Sequence, residues 1–228
     1  MDKYLVIVDD GHQYPNGDPG AVISETTEAR QNVEVGNELV KRLQAREQIR
    51  VLRVPVNFGG QDTIDWVNSV SNKDALVISI HHNASVDPSA SGVECYHYLN
   101  NVSGMRLSGM ICRNISKKLG MKNRGAKTEN YSQHKKIGII SKTKGTAVLV
   151  ECGFLTNEYD RLRILDPQID DKFAEAIDEA VAEFLGIETV VTPPEQEEPS
   201  NSQRIEYVSK KMDIVIKLKE VVNLVNNL

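Results

Sequence analysis

ALVISIHHNA (75–84) is the stretch that decides the architecture. A short, almost continuous run of apolar and β-branched residues stops abruptly at two histidines and an asparagine. Such a run fits a strand buried on both faces, as strands of parallel sheets are. YLVIVDD (4–10) and TAVLVE (146–151) repeat the design, each ending in acidic residues.

Helical patterns alternate with these runs. Positions 28–46 carry Ala29, Val33, Gly36, Val40 and Leu43 on one face. Positions 105–119 do the same with Leu107, Ile111, Ile115 and Leu119, and 170–185 with Phe173, Ile177, Val181 and Phe184. A further helix is expected at 60–72. Strands are expected at 4–9, 50–54, 75–81, 93–98, 137–141 and 146–152. The alternation predicts an α/β fold, a mostly parallel (mixed) twisted sheet of about six strands flanked by helices.

Bulk properties exclude several classes. The 228 residues are 40% apolar, which rules out a disordered chain. No apolar run approaches the ~20 residues of a membrane span, so no stable membrane insertion is expected. The net charge of −5, with both signs interspersed, gives no basic field for nucleic acid. The apolar stretch before Asp9 and Asp10 is shorter than the ~7–15 residues of a secretory core, which predicts synthesis in the cytoplasm without a signal peptide. Cys95, Cys112 and Cys152 read as core thiols, with Cys152 pointing away from its neighbour Glu151.

Composition shifts after Gly186. Residues 187–203, rich in Pro, Glu and Ser, read as an extended linker, dividing a domain at 1–186 from a tail at 204–228. In the tail, Ile205, Val208, Met212, Val215, Leu218, Val222 and Val225 recur at helical spacing. This C-terminal amphipathic helix is expected to form a homo-oligomer or to dock on the first domain. Membrane-surface binding ranks third, because its polar face carries both signs.

Loops beyond the carboxyl ends of strands build the active sites of open parallel sheets. His12, His81 and Glu151 all stand at such ends, and Glu28, opening the first helix, is placed to join the same rim. Imidazoles and a carboxylate from separate loops suit a catalytic zinc site, in which three ligands leave a fourth position open. A second carboxylate then remains for proton transfer. Alternatives stand beside each choice. Glu28 also suits a helix dipole, and Glu25 and Glu34 lie close by. His81 continues the parity of Val77 and Ser79, His82 that of Ile78 and Ile80, and parity alone does not choose between them.

DDGH…DPGA (9–21), TEARQNVEVGNELVKRL (27–43), SIHHNA (79–84), GVECY (92–96), NRGAK (123–127) and AVLVECGFLTNEYD (147–160) together resemble the zinc-dependent N-acetylmuramoyl-L-alanine amidases of the amidase-3 type, found in bacterial autolysins and phage endolysins. The resemblance covers residues 4–186 in the family's order. It implies Zn²⁺ held by His12, Glu28 and His81, with Glu151 as the catalytic carboxylate. Glu28 matches the family's ligand four residues before an Asn, here Asn32; His81 matches the histidine that directly follows Ser-Ile. Asp10 and Gln13 depart from the family's usual Pro and Gly, and His82 from its frequent Ala.

The implied substrate is peptidoglycan, cut at the amide between N-acetylmuramic acid and L-alanine, with Asn83, Asn123 and Arg124 on the substrate side. His134 reads as a surface residue. The expected role is a phage or prophage endolysin, reaching the cell wall through a holin-type pore or on cell lysis. A sporulation or mother-cell autolysin is the alternative within the same chemistry. A zinc peptidase or deacetylase on another scaffold, and a non-catalytic peptidoglycan-binding protein with a vestigial site, are rival readings; the intact four-residue set argues against the vestigial one. A nucleotide-binding module is disfavoured because the first loop lacks GxGxxG spacing.

Overall fold

The computed structural model describes residues 3–132 and 136–187. His134, the linker after Ile187 and the tail at 204–228 lie outside them. In chain order the elements are β1 (Tyr4–Asp9), α1 (Glu28–Gln44), β2 (Ile49–Arg53), α2 (Gln61–Val70), β3 (Leu76–Asn83), β4 (Val93–His97), α3 (Val102–Leu119), β5 (Asn123–Thr128), α4 (Gly138–Ser141), β6 (Thr146–Phe154), α5 (Glu158–Ile164) and α6 (Pro167–Leu185). The strands form one sheet in the order β2-β1-β3-β6-β4-β5. Every neighbouring pair is parallel except β4 with β6, so the sheet is mixed and mostly parallel, as the alternation of runs predicts. Among the described residues no helix is long and apolar enough to cross a membrane.

One strand differs from expectation. The strand that replaces it is β5, Asn123–Thr128, and the run expected at 137–141 contains α4 instead. Ile139 and Ile140 are buried against Val54, Val67, Tyr96 and Leu149. A short apolar run looks alike in a strand and in a buried helical turn. β5 lies at the sheet edge with no fully buried residue, so it carries no apolar run to betray it.

The two sheet faces are covered unequally, and that asymmetry creates the site. Val6, Val8, Ile78, Ile80, Val148, Val150 and Cys152 point to one face, packed under residues of α1, α3 and α6. Ile7, Val77, Ala147, Leu149 and Tyr96 point to the other, where α2 and α4 supply Val67, Ile139 and Ile140. All three cysteines are free and buried, and each belongs to the face under the three helices, so Cys152 does point away from the site. The thinly covered face is left open toward the carboxyl ends of β1, β3 and β6.

Candidate active site

Strand parity sends Ser79, His81 and Glu151 onto the open face, while His82 turns to the other. His81 and Glu151 are direct register partners on β3 and β6. Glu94 on β4 is the register partner of Glu151 from the opposite side. With His12, Glu28, Asn83, Arg124 and Lys127 they line a cleft of about 930 Å³.

His12 reaches this face through a backbone turn. Gly11 (φ 50°) and His12 (φ 60°) are both left-handed, a conformation that a non-glycine residue seldom adopts. A side chain at Gly11 would lie 2.6 Å from the Ile80 carbonyl oxygen and collide with the His81 ring, so only glycine allows the loop this close to β3. The His12 and His81 rings then stand 4.9 Å apart between centroids. Glu28 arrives on the first turn of α1, whose N-cap Thr27 accepts a hydrogen bond from Arg30 N at 3.3 Å.

The three side chains converge on one point. His12 Nε2 is 3.1 Å and His81 Nδ1 2.8 Å from the same Glu28 Oε1, and a ligand atom from each of the three residues lies within 4.8 Å of the others. Two imidazole nitrogens and one carboxylate oxygen are a donor set suited to a divalent transition metal, zinc among them. Backbone and carboxylate groups hold the set in place. Ala21 N donates to Glu28 Oε2 at 2.9 Å, and His12 Nδ1 pairs with Asp18 Oδ2 at 2.9 Å, which leaves Nε2 facing inward. Glu25 and Glu34 are not part of this cluster.

The electrostatics follow from this crowding. Burial opposes charge on His12, yet Glu28 and Asp18 push its pKa up to about 9. His81 is raised as well: burial works against it, and Glu28 overrides. Burial would lift the Glu28 carboxyl, but the two histidines hold it well below the usual carboxylate range. Glu151 goes the other way. Burial, assisted by the nearby Glu28 and Glu94 carboxylates, pushes its pKa up to about 8, and its Oε2 is enclosed without a hydrogen-bond partner. A carboxyl group tuned toward neutrality and free at one oxygen is equipped to exchange protons.

The remaining residues singled out in the sequence take different places. His82 is buried on the far face, with Nδ1 bonded to Asn32 Oδ1 at 2.8 Å; burial lowers its pKa to about 4, so it sits there neutral. Asn32 in turn donates to the Gly11 carbonyl, so His82 braces the loop that carries His12. Asn83 lines the cleft and donates to Glu94 Oε1 at 3.1 Å. Arg124 lines it too. Asn123 is exposed and does not line the cleft; its Oδ1 accepts from Gly125 N at 2.8 Å.

Asp18, Glu94 and Lys127 have parts here that sequence reasoning did not assign. For Glu94 a signal existed: a carboxylate between Val93 and Cys95, inside a strand, is as conspicuous as Glu151 after AVLV. Asp18 lies in a loop of glycines and prolines, where no periodicity marks which polar residue turns inward.

A layered α/β sheet with a two-histidine, one-glutamate rim defines a class of candidate metal-dependent enzymes. Within it the assignment is specific: a family model for N-acetylmuramoyl-L-alanine amidase matches residues 6–183, and the chain belongs to that family. It is similar to the amidase LytC of Bacillus subtilis, with 27% identity over 186 residues, 78% of this chain and 35% of that protein. The chain thus spans about a third of the length of this curated relative. The solved N-acetylmuramoyl-L-alanine amidase from Clostridium difficile 630 has the same fold, at TM-score 0.72 and 24% identity, covering 82% of this chain and 98% of that one. So does the catalytic domain of the CD27L endolysin that targets Clostridia difficile, at TM-score 0.63 and 24% identity, covering 83% of this chain and 100% of that one.

Proposed function

We propose that this protein hydrolyses the amide joining the lactyl group of N-acetylmuramic acid to L-alanine in peptidoglycan, with His12, Glu28 and His81 holding a zinc ion. One observation carries the chemistry: a second glutamate, Glu151, stands in register beside His81 with a free, enclosed carboxyl oxygen. The bound ion would supply Lewis acidity, drawing charge from the scissile carbonyl and from the attacking water. Glu151 Oε2 takes the water's proton and returns it to the departing alanine nitrogen. Asp18 holds His12 Nδ1, and Asn32 with His82 holds the Gly11 carbonyl behind it, so the ligand loop stays fixed through the cycle.

The test is digestion of purified peptidoglycan with identification of the new ends. The expected outcome is free L-alanine amino groups without new reducing sugar, lost on chelation and regained with zinc. Bound zinc with no cleavage of several wall types would favour a vestigial, wall-binding site instead.

The same reading assigns residues 1–186 to catalysis, 187–203 to a linker and 204–228 to a self-associating helix. For the biological role it keeps the phage or prophage lysin, with the bacterial autolysin as the alternative. The fold is common to a bacterial amidase and an endolysin catalytic domain, so it does not choose between them. Lysis of intact host cells by protein added from outside would favour the lysin.

A further inference from the structure

The edge of the cleft beside Glu151 holds a cluster that the hydrolysis itself does not use. Glu94 is buried, only 2% exposed, in a strand whose neighbouring residues are apolar. Its Oε2 accepts from Arg124 Nε and from Lys127 Nζ, each at 2.5 Å. Its Oε1 accepts from Tyr96 Oη at 2.6 Å and Asn83 Nδ2 at 3.1 Å. Both carboxylate oxygens are therefore fully engaged by the protein, while both cations keep donors to spare.

A local irregularity builds this arrangement. Arg124 and Lys127 are three residues apart, so a regular strand would point them to opposite faces. The register between β4 and β5 slips at this place: Val93 pairs with Asn123, but Glu94 pairs with Gly125. The extra residue is Arg124, followed by Gly125 at φ 83°. Asn123 Oδ1 caps the bulge by accepting from Gly125 N. The bulge resets the parity and turns both cations onto Glu94. Bulges that re-aim side chains beside a site are features to be explained by use.

Two cations against one carboxylate leave one positive charge uncompensated at the cleft wall. The Arg124 guanidinium carbon also stands over the Phe154 ring, 4.8 Å from its centroid, and Nη1 reaches the Ser91 carbonyl at 3.4 Å. Its Nη2 has no acceptor among the described residues, and both side chains remain about a quarter exposed. A rigid guanidinium with a free edge, next to an ammonium with free protons, is a receptor for a carboxylate.

Register fixes how far this receptor lies from the reaction. Glu94 and Glu151 are direct cross-strand partners, so their side chains start about 5 Å apart, and Arg124 and Lys127 stand one side chain further along the wall. An extended peptide advances about 3.5 Å per residue. A peptide running from the cleaved bond toward β5 would therefore bring the residue that follows the L-alanine, the second past that bond, opposite the receptor. In a stem peptide that residue is a γ-linked D-glutamate, whose α-carboxyl is free in some walls and amidated in others.

We infer that the Glu94-anchored pair Arg124 and Lys127 binds the α-carboxylate of the second stem residue, making the enzyme selective for stems in which that carboxyl is not amidated. This rests on the amidase reading above. The substrates that test it are two N-acetylmuramoyl tripeptides, L-Ala-γ-D-Glu-L-Lys with the lysine blocked as its carboxamide, differing only in a free or amidated glutamate α-carboxyl. The α-carboxylate is then the peptide's sole anion.

The expected result is a kcat/KM ratio of acid over amide of about tenfold, the weight of a charge-assisted hydrogen bond in a partly exposed site. Lys127→Met and, separately, Arg124→Gln should bring that ratio toward one. Equal rates on both substrates, or a preference for the amide, would overturn the inference while leaving the amidase intact. A ratio unchanged in both single variants would overturn it as well. No cleavage of either substrate by zinc-loaded protein that also fails to release L-alanine ends from whole peptidoglycan would instead defeat the amidase reading.

Discussion

At the scale of single residues, the pair His81 and His82 shows what a strand decides. Adjacent in sequence, one faces the cleft at 2.8 Å from Glu28 and the other is sealed against Asn32 on the opposite face. The two parities were legible in SIHHNA, but which parity is the open face was not, because that depends on how many helices cover each side. Glu151 shares the open face, and its burial has a measurable consequence. Its folded-state pKa of about 8 lies above the ordinary value of 4.5, so the native protein retains a proton that the unfolded chain has released. Stability from this group is thus complete below about pH 4.5 and declines as pH rises toward 8. Glu151→Gln cannot ionise. In the presence of chelator, calorimetry should find the variant melting above the parent at pH 8, with the two converging near pH 5. A variant that melts lower at pH 8 would show that the carboxyl is not under this strain. With zinc restored, the same variant should bind metal yet lose turnover by about 10²–10⁴-fold, the usual share of a general base.

At the scale of elements, strands with long apolar runs and helices with regular stripes were readable, and elements set by context were not. β1, β3 and β6 announce themselves in YLVIVDD, ALVISIH and TAVLVE. β5 does not, because NRGAKT is an edge strand of polar residues whose pairing and bulge depend on β4. α1 shows the limit of periodicity in another way. Gly36 falls on its apolar stripe and reads as a small core residue, but its real neighbour is a charge. A Cβ there would run into Asp10 Oδ1 and lie 2.9 Å from Asp10 Cγ. Asp10 cannot move aside easily, since Arg53 Nε holds its other oxygen at 2.7 Å and Asn37 Oδ1 holds Arg53 in turn. Helix propensity alone would reward Gly36→Ala by about 0.5–1 kcal/mol. Overpacking against a buried ion pair costs about 1–3 kcal/mol, so the clash prevails. Chemical denaturation should find Gly36→Ala less stable, and zinc titration should find weaker binding, because Asp10 leads directly into the Gly11–His12 turn. A variant as stable as the parent would mean that α1 shifts freely over β1.

At the scale of the whole molecule, the question is what residues beyond the amidase fold contribute. The family match ends at residue 183, α6 ends at Leu185, and Gly186, left-handed at φ 68°, terminates it. Ile187 still packs against the core and its N–H reaches the Ala182 carbonyl at 3.0 Å. A chain cut after Ile187 therefore keeps every element of the sheet, its helices and the cleft. The sequence that follows was legible only as a pattern: an amphipathic repeat states that an apolar stripe needs cover, not what covers it. An isolated helix of that length is marginal in water, so the stripe must find a partner for the helix to persist. On the proposed division that partner is a second copy. Sedimentation equilibrium should give a mass above 25.4 kDa for the full chain and a monomer for the chain ending at Ile187, while both free L-alanine amino groups from soluble muropeptides at the same rate. Self-association would also place two clefts on one particle. The full chain should then outpace the truncated one on insoluble walls, where two engaged sites raise the effective concentration of each, and lose that advantage on soluble fragments. A full chain that sediments as a monomer, and whose truncation lowers the melting temperature, would assign the stripe to the catalytic domain's own surface instead.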